Sequence, residues 1–153
     1  MMEKATFAAG CFWGVEENFS RIKGVTSTKV GYTGGLMADP GYYDVATGTT
    51  GHAESIEIIF DPDIISYEEL LEVFWSIHDP TTKNKQGPDI GTQYRSAIFY
   101  HDEKQKKAAL SSKKKQEESK RYDSDIKTEI VPASIFYPAE EYHQKYFEKM
   151  RSR

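Results

Sequence analysis

The run Ala5-Thr6-Phe7-Ala8-Ala9-Gly10-Cys11-Phe12-Trp13-Gly14-Val15 sets the opening of the fold. Ala5 to Ala9 is short, apolar and followed by a glycine, which reads as a strand stopping at Gly10. Beyond it Val15, Phe19 and Ile22 recur at helical spacing, and Gly24 suits the residue that closes a helix. Val25 to Tyr32 then reads as a second strand, stopped by Gly34-Gly35. The chain therefore opens as strand–helix–strand, with Cys11 at the first turn of the helix.

Outward from this unit, Leu36 to Gly51 is rich in Gly, Asp, Thr and Tyr and reads as an ordered loop. Ala53 to Phe60 is a strand whose even positions are Glu54, Ile56, Ile58 and Phe60, so a period of two turns Glu54 to the same side as three large apolar residues. Ser66-Tyr67-Glu68-Glu69 is a capping box opening a helix with Tyr67, Leu70, Leu71, Phe74 and Ile77 on one face. Asp79 to Arg95 lacks periodicity, and loops of that length in compact domains tend to be functional. Ser96 to Tyr100 reads as a strand, Glu103 to Arg121 as a charged helix, Thr128 to Val131 as a last strand and Glu140 to Met150 as a terminal helix. The first six elements match a split βαβ, ferredoxin-like plait with appended elements and long ordered loops. A two-layer α+β fold forming one catalytic domain over residues 1–153 is expected.

Composition narrows the function. The 153 residues carry a formal charge of −4 and are 38% hydrophobic and 13% aromatic, with a pI near 5.6. That balance gives no general attraction to nucleic acid or to an anionic membrane, and neither is expected as a partner. No run approaches the ~20 apolar residues of a membrane span, and Met1-Met2-Glu3-Lys4 leads into no signal-peptide core. A single cysteine forms no internal disulfide, which suits a reducing, cytoplasmic compartment.

Cys11 lies where a helix begins, so unpaired backbone N–H groups and the positive end of the helix dipole favour its thiolate. Two aromatics beside it, Phe12 and Trp13, offer an apolar surface at the sulfur. The alternative is an inert cysteine acting as a small buried hydrophobe. Glu54, desolvated by its strand face, can hold a proton near neutrality and act as an acid. Pairing with a lysine or exposure at the strand end is the competing reading. Of ten tyrosines, Tyr42, Tyr43 and Tyr94 sit in the two long loops, where a hydroxyl can donate to a bound oxygen; packing accounts for most of the others. His52, His78, His101 and His143 include no helical pair with ligand spacing, so zinc has little support. The basic stretch Lys104–Arg121 reads as a solvated helix face. A Cys–His hydrolase dyad stays open, because such partners meet only in space.

Several motifs together resemble one family. Gly10-Cys11-Phe12-Trp13-Gly14 is similar to the active-site signature of peptide methionine sulfoxide reductase A. Gly31-Tyr32-Thr33-Gly34-Gly35 resembles its Gly-Tyr loop, and Asp39-Pro40-Gly41-Tyr42-Tyr43-Asp44-Val45 its Pro-x-Tyr-x-x-Val element. Gly51-His52-Ala53-Glu54, Asp79-Pro80-Thr81, Asp89-Ile90-Gly91-Thr92-Gln93-Tyr94-Arg95-Ser96 and Ala139-Glu140-Glu141-Tyr142-His143-Gln144 also match, in order, from Ala5 to about Tyr146. The resemblance implies reduction of methionine S-sulfoxide, free or in proteins, to methionine. It assigns Cys11 as nucleophile and Glu54 as proton donor. Tyr42 and Tyr94 would bind the sulfoxide oxygen, Asp89 would help arrange the site, and Phe12 and Trp13 would hold the S-methyl group. No cofactor or metal is implied.

Chemistry agrees with that assignment. A sulfoxide oxygen leaves poorly until protonated, so attack at sulfur needs an acid aimed at the oxygen. An ordinary thiol, with a pKa of about 8.5, is only a few per cent thiolate at neutrality, and a helix terminus is expected to lower that value. Many relatives carry resolving cysteines, whereas this sequence ends at Arg153 without one and has Ala46 at a loop position where some carry cysteine. An external thiol is therefore expected to regenerate Cys11: a thioredoxin, glutathione with glutaredoxin, or a small dithiol. Two competing readings are a one-cysteine peroxidase and a non-catalytic module that binds a methyl-bearing side chain.

Overall fold

The computed structural model describes residues 1–152. Among the described residues, five helices pack with a six-stranded mixed sheet and a separate two-stranded hairpin, as the α+β expectation requires. The elements are β1 (Glu3–Ala9), α1 (Phe12–Ser20), β2 (Val25–Thr33), α2 (Tyr42–Ala46), β3 (Ala53–Phe60), α3 (Tyr67–Ser76), β4 (Lys85–Gln86), β5 (Asp89–Ile90), β6 (Ser96–Tyr100), α4 (Glu103–Glu118), β7 (Glu129–Pro132), β8 (Tyr137–Pro138) and α5 (Tyr146–Arg151). The large sheet runs β7-β6-β1-β3-β2-β8. Among the described residues, only the β6–β7 pair is parallel. Among the described residues, no helix is long and apolar enough to cross a membrane.

One sheet face carries the main core. Phe7 of β1 is fully buried, its ring 5.6 Å from Phe19 of α1 and 5.2 Å from Phe74 of α3. A single strand residue thus joins both helices to the sheet. Phe7→Ala is expected to lower unfolding free energy by about 3–5 kcal/mol, read by denaturant titration, because it empties the point where three elements meet. The opposite face holds a smaller cluster of Ala8, Ala53, Ala97 and Phe99, covered by Val131 and Ala133.

The expected face of β3, Glu54, Ile56, Ile58 and Phe60, is buried; the other face is covered too at Ala53 and Ser55 and is less buried at Glu57 and Ile59. The capping box at α3 also forms, with Glu69 N–H donating to Ser66 Oγ and Ser66 N–H to Glu69 Oε1, both at 3.0 Å. Four segments differ from expectation, the first being β8, an edge strand paired with β2 beyond Thr128–Val131, which was expected to be the last strand. The loop 36–51 contains α2, which starts where Asp44 Oδ2 accepts from the Gly41 N–H at 2.9 Å. The aperiodic stretch 79–95 folds into the β4–β5 hairpin and a short 3-10 turn. The expected terminal helix splits into a 3-10 turn (Glu141–His143) and α5, because the Gln144 side chain bonds to both the N–H and the C=O of Val30 at 2.9 Å.

Candidate active site

β1 delivers the chain to the site. Gly10 takes φ 100°, a conformation open to glycine, and a Cβ there would lie 2.8 Å from Gln86 Cγ of the hairpin. The next residue, Cys11, is the N-cap of α1 and only partly exposed. Its sulfur faces the backbone N–H groups of Trp13 and Gly14, as expected for a helix terminus. The first helical N–H, that of Phe12, instead donates to Glu54 Oε1 at 3.2 Å.

That hydrogen bond brings the carboxyl to the helix end that carries the thiol. Glu54 sits at the beginning of β3, opposite Tyr32 of β2 in the ladder, and is 3% exposed. Burial pushes its pKa up to about 7, against the lowering effect of the Phe12 N–H and with a further rise from the Asp89 charge. The group is thus half protonated near neutrality, as an acid catalyst should be.

The thiol behaves differently from the expectation. Its pKa is raised, not lowered: burial is the largest cause, and the charges of Glu54 and Asp89 add to it. These outweigh the N–H groups of Trp13 and Gly14, because burial and two nearby carboxyl groups all disfavour the charged thiolate.

Tyr42 opens α2, and Tyr94 ends the 3-10 turn that follows the hairpin. Both hydroxyls are pushed up by burial first and then by the Glu54 charge, Tyr94 to about 12. Both also feel Cys11, which in turn feels Glu54 and Asp89, so Tyr42, Glu54, Asp89 and Tyr94 all lie within electrostatic reach of the thiol. Phe12 is buried against Tyr32 and His143, with ring centroids at 5.8 Å and 5.2 Å. Trp13 stacks on Tyr146 at 3.7 Å and 4°, and its indole N–H donates to His143 Nδ1 at 2.9 Å.

Two residues of the site were not singled out from the sequence. Glu140 accepts from the Tyr32 hydroxyl at 2.9 Å and the Tyr42 N–H at 2.8 Å, tying α2 to the sheet. His143 is wedged between Phe12, Trp13 and Tyr42. Their only signal was the motif Ala139–Gln144, since no local pattern links residue 143 to residue 13.

Comparison with known proteins places the chain in one family. A family model described as peptide methionine sulfoxide reductase matches residues 3–153. Peptide methionine sulfoxide reductase MsrA of Methanococcoides burtonii is 69% identical over 150 residues, covering 98% of each chain. The crystal structure of Mxr1 from Saccharomyces cerevisiae in reduced form superposes with a TM-score of 0.91 at 38% identity, covering 99% of this chain and 87% of that one. Mxr1 in complex with Trx2 gives a TM-score of 0.66 at 27% identity, covering 95% of this chain and 84% of that one.

Proposed function

The chain belongs to the peptide methionine sulfoxide reductase A family and is an oxidoreductase acting on methionine sulfoxide; from that premise we propose how its residues divide the work. Cys11 Sγ attacks the sulfur of methionine S-sulfoxide, free or within a protein, while Glu54 gives its proton to the sulfoxide oxygen. Tyr42 and Tyr94 donate hydrogen bonds to that oxygen, and Asp89 helps arrange them. Phe12 and Trp13 hold the methyl group. The oxygen passes to Cys11, leaving methionine and a sulfenic acid: the cysteine sulfur loses two electrons and the sulfoxide sulfur gains them.

The observation that carries this reading is the buried Glu54 carboxyl, half protonated near neutrality and bonded through the Phe12 N–H to the helix end bearing Cys11. With the thiol raised above its ordinary value by burial, the singly protonated pair rests as thiol and carboxylate. The productive arrangement, thiolate and carboxylic acid, is its minor tautomer.

Regeneration takes two external thiol equivalents, which release water and restore Cys11 as the reductant becomes a disulfide. Cys11 is the only cysteine among the 153 residues, and a yeast relative was crystallised with Trx2. A thioredoxin is therefore the proposed reductant, with glutathione and glutaredoxin or a small dithiol as substitutes. We read the chain as a single catalytic domain serving repair of oxidised protein in the cytoplasm. In the same reading, β1, α1, β2, β3, α3 and β6 form a split βαβ plait, supported by the antiparallel order β6-β1-β3-β2 and by both helices packing on Phe7.

Incubation with both sulfoxide epimers and dithiothreitol tests the assignment. Only the S epimer should disappear, with methionine formed one for one. Equal loss of both epimers, or rapid peroxide turnover with neither consumed, favours a thiol peroxidase instead.

A further inference from the structure

Glu16 takes no part in the chemistry above, yet it is a carboxylate only 2% exposed. It lies on α1 three residues beyond Trp13. Its Oε1 accepts from the backbone N–H of Lys145 at 2.6 Å. Its Oε2 accepts from the Thr28 hydroxyl at 2.7 Å and from the Lys145 ammonium at 3.5 Å. Lys145 has φ 54°, in the left-handed region that costs a residue with a side chain. Glu16 therefore holds the backbone in a conformation it would otherwise leave.

The residues on either side of that anchor both grip the same indole. His143 accepts the Trp13 N–H along its edge, and Tyr146 covers one face. Gln144, between them, is bonded to Val30 of the sheet. His143 also has a buried Nε2 without a partner, while its Nδ1 is committed to Trp13. The segment therefore gives up a hydrogen bond to hold this arrangement. Helix α1 alone would leave the Trp13 side chain free to change rotamer; the docked segment removes that freedom.

We propose that Glu16 is a positioning residue: through Lys145 it fixes the segment His143–Tyr146 against Trp13 and so sets the size of the methyl pocket, confining the enzyme to S-methyl sulfoxides. This rests on the reading of Trp13 as a wall of that pocket. A rigid apolar pocket discriminates one added methylene by about 10–200-fold, whereas an indole free to swing would yield to it.

The full-length chain carries the test. Glu16→Ala and Glu16→Gln are compared with the unsubstituted protein by acrylamide quenching of tryptophan fluorescence and by steady-state kinetics on methionine and ethionine S-sulfoxides. Trp75 is 1% exposed and bonded to Ser112, so the quenchable signal comes from Trp13. Glu16→Ala should raise quenching and raise KM for the methyl substrate by about fivefold with kcat within about twofold. Its methyl-over-ethyl preference should fall by about tenfold. Glu16→Gln, which can still accept from Lys145 N–H and donate to Thr28 Oγ, should restore most of all three. Should Glu16→Ala not fold, Lys145→Pro acts from the other partner, since proline lacks the N–H and cannot adopt φ 54°. The same changes are expected. A folded variant with unaltered quenching and preference, or with a fall in kcat alone, overturns the proposal. Trp13→Phe separates the two levels: an unaltered preference there removes Trp13 from the methyl pocket altogether, whereas the quenching reports on the clamp independently of activity.

Discussion

Cys11→Ser is expected to reduce sulfoxide turnover below detection, a loss of at least about 10⁴-fold, with the fold intact. A serine hydroxyl does not accept an oxygen atom from a sulfoxide, and no second cysteine stands among the 153 residues to replace it. Substrate binding should survive, since Phe12, Trp13, Tyr42 and Tyr94 remain. Methionine release measured by chromatography, with binding measured by calorimetry, reads both effects. Residual turnover within a few fold of the unsubstituted enzyme would take the nucleophile's role away from Cys11.

Glu54→Gln is expected to slow turnover by about 10²–10⁴-fold, the usual contribution of a positioned acid, while making the thiol more acidic. The two effects run in opposite directions because one charge causes both. The Glu54 carboxylate raises the Cys11 pKa through space, and glutamine removes that charge. Alkylation of Cys11 at pH 8 should therefore be faster in the variant than in the unsubstituted enzyme, even though catalysis has collapsed. For the unsubstituted enzyme, kcat/KM should be bell-shaped, rising through about pH 7 as Glu54 titrates and falling at more alkaline pH as the thiol, raised by burial, ionises. Slower alkylation in Glu54→Gln, or a profile without the limb near pH 7, would contradict the coupling.

The same substitution carries a stability signature with a definite sign. Glu54 has a pKa of about 7 when folded, above its ordinary 4.5. Below pH 4.5 both folded and unfolded chains keep the proton and no penalty arises. Between 4.5 and 7 the unfolded chain releases it and the folded chain does not, so stability falls as pH rises. Above 7 the full penalty, about 3 kcal/mol, is in place. Glu54→Gln should be the more stable protein at pH 8, and the difference should vanish below pH 4 in denaturant titrations.

Local patterns made the proposed pair of Cys11 and Glu54 legible, and tertiary packing hid the rest. Strand parity alone put Glu54 among apolar side chains, and burial is what raises its pKa. The position of Cys11 before an amphipathic run placed it at a helix start. Its acidity was misjudged, because the groups that raise it come from β3 and from the hairpin, 43 and 78 residues away in sequence. The capping box of α3 is a local device and was read directly. In contrast, the break between the 3-10 turn and α5 follows from Gln144 bonding to Val30, a contact 114 residues apart. His143 and Glu140 reach the site for the same reason. The expectation of a terminal helix over Glu140–Met150 likewise carried no information about the indole on which the Tyr146 ring stacks.

The oxygen itself is the most direct witness to the chemistry. Enzyme mixed with one equivalent of methionine S-sulfoxide, without any reductant, should yield close to one equivalent of methionine. Mass spectrometry of its peptides should then find a single added oxygen on the one containing Cys11, removable by dithiothreitol. Methionine formed with Cys11 left unmodified, or no methionine formed at all, would contradict transfer of the oxygen to that sulfur.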